Sequence, residues 1–207
     1  DTRTIYIGSS SLNRSTDGGK TWEQIFPVKE EILSERYQGD HASYSFKTVS
    51  TSLYNSESAH ISRIRVDAIE KDVLYFSMGK AFYYSKDRGK TFNRKDLQHA
   101  VDFIYTNPAN LKDAVLIFTA NSIYTFNKSS NTIVEKALPP AMVPAFSFTG
   151  GLVKDSEQVI LYALHYDQSK TIEEEFGYTE LWTSLDGGAT WKKIGNKIIN
   201  NDRSKIQ

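Results

Sequence analysis

The chain has 207 residues, 39% apolar and 24% charged, which is enough apolar material for one sizeable core or two small ones and excludes a disordered chain. Lys plus Arg (25) balance Asp plus Glu (25), so no basic field gathers nucleic acid or an anionic membrane, and nucleic acid is excluded as a partner. Cysteine is absent, which removes disulfides, thiolate nucleophiles and cysteine-based metal sites, and no apolar run approaches the roughly 18 residues that span a bilayer, so no membrane insertion is expected.

In chain order, the opening DTRTIYIG is strand-like and not a charged-then-apolar leader, so any export signal is expected outside this chain. Two short β-type runs, TIYIGSS and SLNRS, lead into the octet Ser15-Thr16-Asp17-Gly18-Gly19-Lys20-Thr21-Trp22. Residues 27–59 form a long insertion, within which KEEILSER (29–36) is predicted as a helical turn. HISRIRVDA follows as an inner strand, then VLYFSMG and AFYYS, then Ser85-Lys86-Asp87-Arg88-Gly89-Lys90-Thr91-Phe92. AVLIFTANSIYTFN has the same two-strand cadence, but the turn after it, in KSSNTIVEK, is supplied by Ser-Ser-Asn without the octet's Asp or Gly. The last copy reads VILYALHYD, an insertion at 167–178 containing the helix-prone TIEEEFG, then ELWTS and Ser184-Leu185-Asp186-Gly187-Gly188-Ala189-Thr190-Trp191.

Three octets share the frame Ser-x-Asp-x-Gly-x-Thr-aromatic, and the strands before the turns centre on Tyr6, Tyr75, Ile117 and Tyr162. A period of roughly 40 to 50 residues built of short strands and turns is that of propeller blades, each of which hides one face only when a neighbour stacks on it. The expected units are 1–26, 60–97, 98–137 and 145–195, in one β-propeller domain or fragment. The fold class is therefore all-β: four-stranded antiparallel blades, about four in this chain, belonging to a larger ring, with the first blade lacking its innermost strand.

The octet resembles the Asp-box of the BNR-repeat propellers, a superfamily that includes sialidases, xyloglucan-degrading glycoside hydrolases, some polysaccharide lyases and sortilin-type receptors. An Asp in a tight turn accepts backbone N–H bonds from residues just beyond it, Gly supplies positive φ, and the aromatic covers the turn. Ser15, Asp17, Gly19 and Trp22, Ser85, Asp87, Gly89 and Phe92, and Ser184, Asp186, Gly188 and Trp191 are accordingly read as scaffold, clamping the hairpin between the third and fourth strands of each blade. A catalytic carboxylate is needed once; one repeated in three blades is structural.

The resemblance implies that sites lie at the opposite end of the blades, over the central channel. Both insertions leave their blades at that end, and long loops in a compact repeat fold are commonly functional. The first gathers Asp40, His41 and Tyr44 behind Gly39; the second gathers His165, Tyr166, Asp167, Glu174 and Tyr178. Asp40, His41, Asp167 and Glu174 are the catalytic candidates. Glycoside hydrolysis needs two carboxyl groups flanking a glycosidic oxygen, roughly 5 to 10 Å apart, and β-elimination needs a base such as His or Tyr with a cation for the uronate. Tyr44, Arg63, Arg65, His165, Tyr166 and Tyr178 are binding candidates, Arg63 and Arg65 sharing one strand face and able to hold a carboxylate or to pair with Asp67 or a neighbouring blade.

His41, His60, His99 and His165 show no metal-ligand spacing, and no phosphate loop or dinucleotide fingerprint is present, so neither metal nor cofactor is expected. The early Phe/Tyr-Arg-Ile-Pro motif of sialidases is missing, which disfavours that activity. Three classes stay open: a secreted or cell-envelope bacterial protein acting on glycans, hydrolase-like or lyase-like; a non-catalytic propeller, like sortilin-type receptors or assembly factors, that grips a peptide, protein or polysaccharide; and a structural module of a larger surface protein.

Overall fold

The computed structural model describes residues 3–29, 32–38, 41–46, 60–106, 113–156, 158–166 and 179–195. They form antiparallel sheets, with 3-10 structure at Lys29 and at Pro140–Met142 among the described residues. Short β-branched and aromatic runs broken by Gly, Asn and Asp favour this outcome, because each run pairs with the next across a tight turn. The chain divides into two compact units, Asp1–Ile104 and Tyr105–Gln207.

The first unit opens with a three-stranded sheet, β1 (Ile5–Gly8), β2 (Leu12–Ser15) and β3 (Glu23–Phe26), in that order. A separate two-stranded sheet follows, β4 (Ile32–Gln38) with β5 (His41–Phe46). Next comes a four-stranded meander of β6 (Ile61–Val66), β7 (Leu74–Met78), β8 (Ala81–Ser85) and β9 (Asn93–Asp96). The first and second main sheets bury their facing sides together: Leu12, Ile25 and Phe26 pack against Leu74, Phe76, Met78, Ala81 and Tyr83. Phe76 and Tyr83 stack at 4.6 Å and 4°, and Phe26 tilts onto both at 4.9 Å. Such aromatic pairs add about 0.5–1.5 kcal/mol each beyond the area they bury. Phe92, the aromatic of the second octet, meets Phe26 and Phe76 edge-on, so it closes the core between sheets as well as covering its own turn.

The boundary between the units falls within β10 (Val101–Thr106), which heads a sheet with β11 (Ala114–Thr119), β12 (Ser122–Asn127) and β13 (Thr132–Ala137). The last sheet is β14 (Ala145–Leu152), β15 (Val159–Tyr166), β16 (Thr179–Ser184) and β17 (Lys192–Gly195). Phe118 of β11 and Phe148 of β14 meet at 4.9 Å, and the Ala145 N–H donates to the Ala120 carbonyl at 2.9 Å, tying the two sheets of this unit at their start.

The fold class expected from the repeat is the one observed. One local expectation is overturned in most of its length: Lys29 is in 3-10 conformation, but 32–36 of the expected helical turn belongs to the strand Ile32–Gln38, with Ile32 opposite Phe46 and Gln38 opposite His41. Glu, Lys and Leu favour helix weakly, and a partner strand two residues away outweighs that preference. Gly39-Asp40, which separates the strands in sequence, is a dipeptide of the two-residue hairpin type.

Candidate functional site

The octets explain why one end of each sheet is rigid. Ser15 Oγ donates to Asp17 Oδ1 at 2.8 Å and accepts the Gly19 N–H at 2.8 Å. Asp17 Oδ1 accepts the N–H groups of Lys20 and Thr21, both at 2.9 Å, while Oδ2 accepts the Thr21 hydroxyl at 2.6 Å. The same ring closes in the second octet through Ser85, Asp87 and Thr91, and in the last through Ser184, Asp186 and Thr190. Gly19, Gly89 and Gly188 sit at φ 90°, 85° and 93°, where a side chain is strained. Bonds from the Thr21 hydroxyl and amide and from Ser15 hold the Asp17 carboxyl at about 2, and those from Thr190 and Ser184 do the same for Asp186. At Asp87 burial pushes the other way, and bonds from Thr91 and Ser85 overcome it, again to about 2. A carboxyl whose two oxygens are both engaged by donors of its own turn is held by the hairpin, which is the chemistry of a clamp.

In each four-stranded sheet with an octet, the octet joins the third strand to the fourth, and in the first sheet it joins β2 to β3. Strand alternation then puts the departures into 27–59, after β3, and into 167–178, after β15, at the end of their own sheets away from the octets.

Of the residues singled out from sequence, Asp40, Asp167, Glu174 and Tyr178 lie outside the described residues. His41 and Tyr44 are on β5, opposite Gln38 and Glu35, and Tyr166 is the last residue of β15, opposite Thr179. His165 is buried, with Nδ1 3.0 Å from the Pro144 carbonyl oxygen. A carbonyl only accepts, so Nδ1 carries the proton in this bond, and in the neutral ring Nε2 is left as the acceptor. His165 is thus an oriented imidazole one residue before the end of β15, where the second insertion departs.

Arg63 and Arg65 are engaged by the unit's own backbone and by a ring. Arg63 Nε donates to the Asp102 carbonyl and Nη1 to that of Ser62, the latter at 2.7 Å. Arg65 Nη1 donates to the Ile64 carbonyl at 2.9 Å, and its guanidinium lies 5.4 Å from the Phe103 ring centre. Burial raises the Asp102 carboxyl, opposed by the charge of Arg63. Asp67 serves the turn that follows β6, where its Oδ2 accepts the buried Tyr75 hydroxyl at 2.7 Å and its Oδ1 accepts the amides of Ile69 and Glu70.

Among the described residues, two clefts open in the first unit. One, of about 350 Å³, is lined by Gln24, Pro27, Lys29, Ile32 and Glu35, where the first insertion leaves β3. Its walls combine an ammonium, a carboxylate and an amide with the apolar faces of Pro27 and Ile32. Reading 29–36 as a helical turn hid this set, because only β4 brings Ile32 and Glu35 beside Pro27; the Gly39-Asp40 dipeptide was the available signal. The other cleft, of about 260 Å³, lies among Thr4, Tyr6, Val66, Lys71 and Arg88. There burial raises the Tyr6 phenol, while Arg14 and Arg88 act against that shift.

A family model described as BNR/Asp-box repeat matches residues 14–24, spanning the first octet. None of the curated proteins compared with the sequence matches it. Among solved structures, the chain is similar to the GH74 enzyme of Niastella koreensis, at 14% identity and a TM-score of 0.61, covering 93% of this chain and 28% of that one. It also aligns with the GH93 α-L-arabinofuranosidase of Fusarium graminearum, at 10% identity and a TM-score of 0.39, covering 94% of this chain and 60% of that one, a likeness too slight to carry an argument. The chain spans about 28% of the length of the GH74 enzyme, and the likeness is one of fold.

Proposed function

We propose that this chain of Asp-box propeller blades is a carbohydrate-binding protein of glycoside hydrolase type, acting on an oligosaccharide or polysaccharide outside the cell. The observation that carries the reading is the cleft of Gln24, Pro27, Lys29, Ile32 and Glu35 at the end of the first sheet away from its octet. At about 350 Å³ it is on the scale of small-ligand sites. Lys29, Gln24 and Glu35 offer donors and acceptors to sugar hydroxyls, and Pro27 and Ile32 offer an apolar floor for a ring face. The fold likeness to a GH74 enzyme supports the glycan reading. Asp40 in the first unit and Asp167 and Glu174 in the second are the candidate carboxyls for hydrolysis, and His165, through Nε2, is a hydrogen-bond acceptor beside the second insertion.

Glycan-array binding followed by product analysis tests this. Lys29→Ala and Glu35→Gln should each weaken binding about tenfold or more, the loss of one or two charge-assisted bonds. Asp40→Asn, Asp167→Asn or Glu174→Gln should stop turnover with binding retained. Failure to bind any glycan refutes the reading; binding without turnover leaves a lectin-like propeller and removes the hydrolase.

One observation favours the second reading. β4 and β5 form a two-stranded sheet of their own, and an outer edge of such a hairpin accepts an extended peptide by strand addition. Protection of β4 or β5 amides by a peptide, with no glycan bound, would select it.

A further inference from the structure

The repeat lets one position be compared across three blades. The cross-strand pair four residues before Ser85, Asn127 and Ser184 is Met78–Ala81 in the second blade, Phe118–Ile123 in the third and His165–Glu180 in the fourth. Met78, Ala81, Phe118 and Ile123 are buried core. His165 is equally buried, and only 13% of the Glu180 side chain is exposed. An imidazole and a carboxylate thus stand where the other two blades place apolar side chains, although burying such groups costs stability that an apolar pair does not. Departures of a sequence from its own packing pattern concentrate at functional sites.

Both groups are fixed in place. The Pro144 carbonyl takes the Nδ1 proton of His165 at 3.0 Å, which leaves Nε2 as a lone-pair acceptor in the neutral ring. The Lys193 ammonium donates to Glu180 Oε1, and the Trp182 indole N–H donates to Oε2 at 3.3 Å. Residues directly opposite on antiparallel strands share a face, with Cβ atoms about 4.5–5.5 Å apart. His165 and Glu180 are therefore neighbouring acceptors, at the end of the hairpin where residues 167–178 leave β15 and return to β16. The strand beside them is altered too. A bulge interrupts the pairing at the same place in two blades, after Ile61 opposite Met78 and after Ala145 opposite His165. The bulged residue of the second blade is Ser62, whose hydroxyl lies 3.0 Å from that of Ser77. In the fourth blade it is Phe146, 49% exposed. Bulges beside sites commonly re-aim a side chain in this way.

We infer that Phe146, His165 and Glu180 form a subsite for a neutral sugar in the second unit. Phe146 is the rim on which the apolar face of a sugar ring rests, and His165 Nε2 and Glu180 accept two neighbouring hydroxyls. The inference rests on the glycan reading above and names the class of sugar within it. Two acceptors match the hydroxyls of a neutral ring, whereas the carboxylate of a uronate meets the negative charge of Glu180 and finds the Lys193 ammonium already engaged there.

Titration calorimetry of the full chain tests this, with neutral oligosaccharides of glucose, xylose, galactose, mannose and arabinose and with oligogalacturonate as probes. A neutral oligosaccharide should bind, and oligogalacturonate should bind at least tenfold more weakly. The variants come from the other blades: H165M/E180I installs the apolar residues found at this position in the second and third, and F146S the bulged residue of the second. H165M/E180I should melt within about 5 °C of the wild type or above it, because apolar pairs already pack at this position, and should weaken binding at least tenfold. F146S should weaken binding severalfold with Tm unchanged. A double variant that binds like the wild type overturns the inference and leaves the glycan reading standing, as does oligogalacturonate bound as tightly as any neutral sugar. A double variant that melts well below the wild type shows the pair to be packing and overturns the inference as well. Failure of every sugar to bind refutes the glycan reading itself, and the inference falls with it.

Discussion

The second and third blades fasten the same hairpin in two ways. After β8 the carboxylate lies inside the turn: Asp87 takes the amides of Lys90 and Thr91, and Gly89 supplies positive φ. After β12 the turn has no Asp, and the clamp comes from the residue just before β11: Asp113 Oδ1 accepts the Ser129 amide at 3.0 Å and its hydroxyl at 2.6 Å. Asn127 Oδ1 takes the Ser130 amide and hydroxyl, and Asn131 adopts φ 54°. One tether is common to both: the Asp72 carbonyl accepts the Arg88 amide, and the Asp113 carbonyl accepts the Lys128 amide. The difference teaches that the hairpin needs a carboxylate, a left-handed residue and a tie to the second strand, and that the carboxylate can come from either side of the fold.

The largest effect that separates the two hairpins should come from Gly89→Ala. It adds left-handed strain of about 1–2 kcal/mol to an overpacked contact with Ile25 of about 1–3 kcal/mol. Gly19→Ala carries the strain without the clash, since a Cβ there would meet only Trp22 and Ile5 at 3.8 and 3.9 Å, so chemical denaturation should find it the milder variant by the second amount. Equal losses would mean that the contact of Gly89 with Ile25 is not tight.

Next in size, Asp87→Ala and Asp113→Ala should lower Tm by similar amounts, on the order of 2–4 °C, if the two carboxylates do the same work. A large loss for one and none for the other breaks the equivalence.

The smallest effect is in acid. Asp17, Asp87 and Asp186 have folded values near 2 against an ordinary 3.8, so the folded state binds protons less readily than the unfolded chain. Their contribution is fully present above pH of about 4 and disappears as pH falls towards 2. Exposure to solvent screens these groups, so the acid limb of a stability profile should be shallow. Asp87→Asn should flatten it further, and an unchanged limb in that variant would show that the clamp does not hold the proton off.

Legibility followed the range of the interaction. The octet's bonds run over two to four residues, so Asp17 could be read as an acceptor of nearby amides and Gly19 as a left-handed turn residue, while the hydroxyl bonds of Ser15 and Thr21 that close the ring came from the structure. Arg63 finds Asp102 39 residues away and Ser129 finds Asp113 16 residues away, and neither pairing has a sequence signal. The strand at Ile32–Gln38 was hidden for a related reason: its composition favours helix and its pairing with β5 decides otherwise. Gln24, Pro27, Lys29, Ile32 and Glu35 therefore could not be assembled into a cleft from sequence, although each residue was in view.

By itself the sequence determined what is local and repeated: strands of period two, turns closed by a side chain a few residues away, and an all-β fold whose blades recur. These need only short-range hydrogen bonds and backbone preferences, which act on any segment wherever it lies. The tertiary structure alone decided which faces are covered. Ile5 and Leu74 hold the same place in their strands, opposite Ser15 and Ser85, yet one is exposed and the other buried. Burial depends on what packs opposite, and a strand's own residues cannot specify that.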